Sequence, residues 1–380
     1  MKTVLILGGY GGVGSIITRL LLRYTDCRVI IAGRNVGKAE EYARSFAIEF
    51  PNRASARQVN ADDIKSVESA LINVDLVLVA TASPLVAPEI AHSALQVGSD
   101  YLDIFVHQEN YAPLKSMDED IKRAGRVFIT QAGFHPGLPA AFVRRGASYF
   151  NQYDEATVSM SMNARFKSLE STRELINLTR DADSEVFEDG SWKKADYRDV
   201  ITVDFGSPFG KRQCYPLKLE EMRPLPRMFG LKKTGVYVSG FNWATNNLVF
   251  PLIIILHKIK KDLGTRFLMK LMYWSVNTFS AKEGHVTFVL GARGMKNGKP
   301  RIVRIAADHQ DPYFFTAAPV VACLKQVFDR TIAPGLHLMG IAVDPDRVFA
   351  DMEKMGVRIK IEVTDLENSP MTIAASKKSW

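Results

Sequence analysis

Thr3-Val-Leu-Ile-Leu7, followed at once by Gly8-Gly9-Tyr10-Gly11-Gly12-Val13-Gly14, is the stretch that decides the fold. The first part reads as a buried strand. The glycine-rich turn then opens a helix with apolar residues at Ile16, Leu20 and Leu21. Within the turn, Gly9-x-Gly11-x-x-Gly14 has the spacing of a dinucleotide-binding loop. Gly9 permits the tight turn, Gly11 lets the backbone approach a pyrophosphate, and Gly14 lets helix and strand pack closely. The helix N-terminus offers N–H groups and a partial positive charge to the phosphates. Tyr10, Gly12 and Val13 complete the loop as candidate cofactor-binding residues.

Working outward, the same alternation continues. Strands are expected at Thr3–Leu7, Arg28–Ala32, Ala56–Gln58, Leu76–Ala80, Tyr101–Ile104 and Arg126–Thr130. Helices are expected between them at Gly14–Arg23, Lys38–Phe50, Ile64–Leu71, Pro88–Val97 and Tyr111–Ala124. Strand–helix repetition at this spacing predicts an α/β fold with a doubly wound parallel sheet, the Rossmann arrangement. After about residue 150 the pattern changes. Glu155–Arg165 alternates like a half-buried strand, and Asp189-Gly190 is a hairpin-type turn within the polar stretch 180–198. Val286–Ala292 and Arg301–Ala307 alternate around Lys296-Asn-Gly-Lys299, a second hairpin. This middle region is expected to be α+β with an antiparallel sheet. Thr316 is placed to cap a helix running through Val327. The resulting division is a dinucleotide-binding domain over 1–140, an inserted α+β domain over 141–310 and a C-terminal segment, 311–380, returning to the first domain.

The 380 residues exceed one typical domain, and the composition, 47% hydrophobic and 24% charged, is that of a globular protein. Three cysteines, Cys27, Cys214 and Cys323, lie far apart without metal or disulfide spacing, which points to a reducing compartment, the cytoplasm. No His, Cys and carboxylate cluster has ligand spacing, so no metal is expected. The sequence starts on a strand and shows no signal peptide. A formal net charge of +8 suits an anionic cofactor, and no nucleic-acid motif accompanies it. The apolar run Leu248–Leu256 is half the roughly 18 to 20 residues that span a bilayer. With Phe267–Trp274 it reads as core or a dimer interface, peripheral lipid contact being the other reading.

The end of the second strand bears on cofactor choice. An NAD enzyme places a carboxylate there for the ribose hydroxyls, whereas this chain reads Gly33-Arg34-Asn35 with Lys38 close behind. Arg34 can stack on adenine and pair with a 2′-phosphate, so NADP is preferred. If Arg34 only stacks, NAD remains open. Asp62 and Asp63 follow the third strand, where one could accept from the adenine amino group and one could cap a helix. Ala80-Thr81-Ala82-Ser83 ends the fourth strand, where small residues leave room for the nicotinamide ribose.

Taken together, Gly8–Gly14, Ala32-Gly-Arg-Asn35, Tyr101-Leu-Asp103 and Gly133-Phe-His-Pro-Gly137 resemble the saccharopine dehydrogenase (saccharopine reductase) family, including its saccharopine dehydrogenase-like oxidoreductase branch. Glu221-Met-Arg-Pro-Leu-Pro226 resembles a further family stretch. The resemblance implies an NADP-binding Rossmann domain, an inserted substrate and dimerisation domain, and hydride transfer between nicotinamide and a carbon–nitrogen bond. Family members carry Asp where His135 stands, and the stretch Asp103–His107 also departs from the pattern, which puts saccharopine itself in doubt.

Two catalytic candidates follow. Asp103 ends the fifth strand at the carboxyl edge, where open α/β sheets bind ligands, and His135 follows the sixth strand on the same edge. A histidine there could exchange a proton near neutral pH. Against each stands a structural role, a turn for His135 and a hydrogen-bond acceptor for Asp103. Tyr111-x-x-x-Lys115 has short-chain reductase spacing but starts a surface helix early in the chain. The reading is an NADP-preferring oxidoreductase, a homodimer, acting on a small amino acid-like or carbonyl substrate. Its rivals are a nucleotide-binding, lipid-surface protein without turnover and an atypical short-chain reductase.

Overall fold

The computed structural model describes residues 1–81, 87–163, 165–166, 169, 172–173, 176, 184–260 and 262–366. The chain divides into two compact units, Met1–Ala141 with Tyr313–Val357, and Phe142–Pro312 with the C-terminal residues from Arg358.

The first unit is a seven-stranded sheet. Numbered along the chain, its strands are β1 (Thr3–Leu7), β2 (Arg28–Gly33), β3 (Ala54–Gln58), β4 (Leu76–Val79), β5 (Asp100–Asp103), β6 (Val127–Thr130) and β15 (Gly335–Leu338). The order is β15-β6-β5-β4-β1-β2-β3, and every pairing is parallel. The order in which successive strands are added reverses between β1 and β4, which places the topological switch point beside the glycine turn. Burial on both faces explains the unbroken apolar runs: Val4 to Leu7 and all of β4 are buried. Helices α1 (Gly12–Tyr24), α2 (Val36–Arg44), α3 (Ile64–Ala70) and α4 (Ala87–Val97) connect β1 to β5. The core gathers Leu5, Val77, Tyr101 and Phe128 from the strands with Ile90, Ala91 and Ala94 from α4. The helix expected over Tyr111–Ala124 is two short ones, α5 (Tyr111–Lys115) and α6 (Asp118–Arg123). The break puts Asp118 where its carboxylate accepts a hydrogen bond from the Leu336 N–H at 2.8 Å, tying the first turn of α6 to β15.

α7 (Leu138–Ala147) carries the chain into the second unit. There a nine-stranded sheet contains β7 (Gln152–Asn163), β8 (Glu185–Glu188), β9 (Ser191–Lys194), β10 (Ile201–Asp204), β11 (Lys211–Leu217), β12 (Lys233–Ser239), β13 (His285–Lys296), β14 (Lys299–His309) and β16 (Arg358–Asp365). Both hairpin turns use left-handed pairs, Asp189 with Gly190 and Asn297 with Gly298. The sheet is mixed rather than antiparallel, because β12 returns alongside β7 in parallel. Two helices, Phe250–Ile259 and Thr265–Phe279, share a cluster of Ile253, Leu268, Met269, Met272 and Val276. Among the described residues no helix is long and apolar enough to cross a membrane.

Two expectations for the C-terminal part are corrected. The helix expected from Thr316 starts at Pro312 and runs to Phe328, proline being preset for a first helical turn. The segment 311–380 does not return as one piece. Tyr313–Val357 belongs to the first unit, while β16 pairs antiparallel with β14, where its alternating side chains extend the second sheet.

Candidate cofactor and active site

The glycine turn is shaped by close backbone contacts. Gly8 has φ +83° and donates to the Ala32 carbonyl at 2.8 Å. The Gly11 N–H in turn bonds the Gly8 carbonyl at 2.8 Å, closing the loop. A Cβ on Gly14 would lie 2.2 Å from the Gly8 oxygen, so only glycine lets α1 start so close to β1. Gly9 is buried against Ile6 and Ile31, with its carbonyl accepting from the Thr18 hydroxyl at 3.0 Å. Gly11 and Gly12 are exposed and Val13 is half-buried. The N-terminus of α1 has no side-chain cap and no acidic residue in its first turn. Its N–H groups and partial positive charge therefore face outward, uncompensated from within the protein. A pyrophosphate fits this cradle.

At the end of β2 the Tyr10 ring lies against Gly33, and its hydroxyl accepts from the Asn35 N–H at 3.1 Å. The Asn35 side chain is spent as the cap of α2, accepting from the Lys38 N–H at 3.0 Å. Arg34 and Lys38 are exposed, and neither makes an ion pair among the described residues. Two free cations and no carboxylate at this strand end suit a 2′-phosphate. Beyond β3, Asp63 caps α3 by accepting from the Lys65 N–H at 3.1 Å, whereas the Asp62 carboxylate is exposed. Ala80 continues β4 with an N–H to the Leu7 carbonyl at 2.9 Å. Next to it the Thr81 hydroxyl is buried with no hydrogen-bond partner among the described residues, an orphan that a ribose hydroxyl could satisfy. Ala82 and Ser83 lie outside the described residues.

Asp103 and His135 stand on the carboxyl edge of the adjacent strands β5 and β6. Asp103 is buried, and its Oδ1 accepts from the N–H groups of Phe105 at 3.1 Å and Gln131 at 3.0 Å. Burial pushes its carboxyl up, while the Thr130 hydroxyl, these two N–H groups and the Tyr101 hydroxyl pull it back down without cancelling the rise. Tyr101 is core, its phenol held well above its usual range by burial and by the neighbouring Asp103. Gln131, with φ +57°, bends the chain out of β6 into Gly133-Phe-His-Pro-Gly137, where His135-Pro136 is cis and Gly133 and Gly137 have positive φ. Desolvation lowers the His135 pKa to about 4, which favours a neutral, hydrogen-bonding ring over proton exchange near neutral pH.

The helix Pro312–Phe328 supplies two aromatic residues that the sequence did not single out, Tyr313 and Phe315. The Phe134 and Phe315 rings meet edge to face at 6.1 Å, and Thr316, expected only as a helix cap, packs against Gly133. The Tyr313 ring stands against Gly12, where a Cβ would be 3.2 Å from its edge. The aromatic run Tyr313-Phe-Phe315 at a helix start was the available signal. Conversely, Lys115 of the Tyr111-x-x-x-Lys115 spacing is engaged by Asp118 at 2.6 Å.

Residues 4–129 match the family model described as Saccharopine dehydrogenase NADP binding domain. The match lies within the first unit, which is similar there to an NADP-binding domain. Carboxynorspermidine synthase of Vibrio cholerae is 25% identical over 92% of this chain and 94% of its own. The Vibrio alginolyticus enzyme of the same name gives the same figures, 25%, 92% and 94%. Among solved structures, apo saccharopine dehydrogenase (L-Glu forming) from Saccharomyces cerevisiae superposes with a TM-score of 0.70 at 14% identity. That likeness covers 96% of this chain and 100% of the yeast chain, and it bears on the fold.

Proposed function

We propose that this protein is an NADP-dependent oxidoreductase interconverting an imine and an amine, or reducing a carbonyl, on a small amino acid-like substrate. The observation that carries the reading is the pairing of an uncapped, acid-free α1 N-terminus with the unpaired cations Arg34 and Lys38 at the end of β2. Bound NADP would supply or accept the hydride. The Gly9–Gly14 loop would hold its pyrophosphate, Arg34 and Lys38 its 2′-phosphate, and the Thr81 hydroxyl its nicotinamide ribose.

Asp103 acts through position, holding the turn after β6 by the Gln131 N–H, and the neutral His135 ring offers a hydrogen bond to substrate rather than a charge. The similarity over 92% of this chain to proteins named for making an amine, carboxynorspermidine synthase, supports a carbon–nitrogen centre.

The test is a fluorescence titration with NADPH and NADH of the wild type and Arg34→Asp, followed by assay of NADPH oxidation with keto acid and amine pairs. Arg34→Asp should weaken NADPH roughly 100-fold, about 2.7 kcal/mol, and leave NADH little changed. Absence of binding of either nucleotide would sink the enzyme reading in favour of a fold retained without turnover.

A further inference from the structure

We propose that the helix pair within Trp243–Phe279 seats the protein on an anionic lipid surface, lying in the headgroup plane without crossing it. The argument starts from which faces the two helices spend. Ile253 of one and Leu268, Met269, Met272 and Val276 of the other are buried in their common cluster. Their opposite faces are apolar as well. Leu248, Ile255 and Ile259 are 57%, 57% and 71% exposed, with exposed Pro251 falling on the same stripe. On the second helix Phe267 and Trp274, one heptad apart, are 58% and 53% exposed, and Trp243 is exposed at the start of the segment. A globular surface seldom leaves so many large apolar side chains together without a partner.

The charges select the partner. Lys258, Lys260, Arg266 and Lys270 are exposed on these helices and their connection, and none makes an ion pair among the described residues. Asp262 is the sole acidic residue in the sequence 243–279. A second copy of the chain, meeting this face by two-fold symmetry, would bring like charge to like charge. An anionic membrane surface satisfies both features. Apolar side chains enter the acyl boundary, basic ones meet phosphate headgroups, and tryptophan favours that interface. The helices span 10 and 15 residues, which suits lying on a bilayer.

The experiment is co-sedimentation of the full-length protein with vesicles of phosphatidylcholine alone or mixed with phosphatidylglycerol. Wild type should sediment with the mixed vesicles and far less with phosphatidylcholine alone. Its tryptophan emission should shift to the blue on binding, with the shift reduced in Trp274→Phe. Lys258→Gln with Lys270→Gln should lower the vesicle partition roughly 30-fold, at ~1 kcal/mol for each basic residue near the surface. Ile255→Ser with Phe267→Ser should abolish it. All four positions are exposed, so thermal unfolding should stay at the wild-type midpoint. Three results would overturn the proposal: wild type indifferent to both vesicles, variants that still sediment like wild type, or sedimentation velocity in which the serine variants dissolve a dimer instead.

Discussion

The Tyr10 ring rests directly on Gly33: a Cβ at Gly33 would lie 2.5 Å from Tyr10 Cε1, and the Tyr10 hydroxyl accepts from the Asn35 N–H at 3.1 Å. A residue of the dinucleotide turn is thereby braced on the end of β2, next to the cations of Arg34 and Lys38. Gly33→Ala should push the ring off its seat and weaken NADPH binding by about tenfold, or 1.4 kcal/mol. Tyr10→Phe keeps the ring and loses only the hydroxyl contact, so its effect should be smaller. Titration of both variants with NADPH checks the order, and equal affinities for wild type and Gly33→Ala would rule the brace out.

Asp103 separates a positional from a chemical role. Its folded carboxyl titrates above the unfolded value, so stability is lost as pH rises through that range, and the ionised form is the costly one at pH 7. Asp103→Asn keeps an acceptor for the Gln131 and Phe105 N–H groups without the charge, and urea unfolding at pH 7 should show stability unchanged or raised. Asp103→Ala strands both buried donors and should cost about 2 to 3 kcal/mol. Turnover retained in Asp103→Asn would assign the residue to positioning alone.

His135 predicts a pH dependence of opposite sense. Its pKa falls from 6.5 to about 4 on folding, so the unfolded chain takes up the proton first. Stability should therefore rise with pH between about 4 and 6.5, with His135 accounting for up to roughly 3 kcal/mol of the change. In His135→Gln that portion of the slope should vanish, as followed by chemical denaturation across the interval. The same steepness in both proteins would contradict a buried neutral ring.

The Asp118 carboxylate accepts from the Leu336 N–H at 2.8 Å while Lys115 and Lys122 approach at 2.6 and 3.1 Å. Burial alone would raise its pKa, and the Lys115, Leu336 and Lys122 contacts outweigh that and hold it well below the carboxylate range. A depressed folded pKa means stability present above the unfolded value near 4 and lost as pH falls toward the folded one. Asp118→Ala should cost about 2 to 3 kcal/mol at pH 7, with the deficit shrinking as pH drops toward 2. Urea midpoints of the two proteins over that range give the comparison.

What the sequence determined by itself is local in origin. The parallel sheet of the first unit follows from buried apolar runs alternating with helical periodicity, and the loop Gly8–Gly14 follows from spacing alone, because glycine positions at a strand–helix turn need no distant partner. The two hairpins at Asp189-Gly190 and Asn297-Gly298 are legible for the same reason, their left-handed residues being written in the turn.

What only the tertiary structure decided depends on contacts far apart in sequence. No periodicity distinguishes a strand that pairs with a neighbour from one that crosses over, so the parallel pairing of β12 with β7 and the departure of β16 to the second sheet were invisible. Tyr313 against Gly12, or Leu336 on Asp118, joins residues hundreds of positions apart. The low pKa of His135 belongs to this group too. Its identity is a matter of sequence, but the desolvation that keeps it neutral exists only once other segments have packed around it.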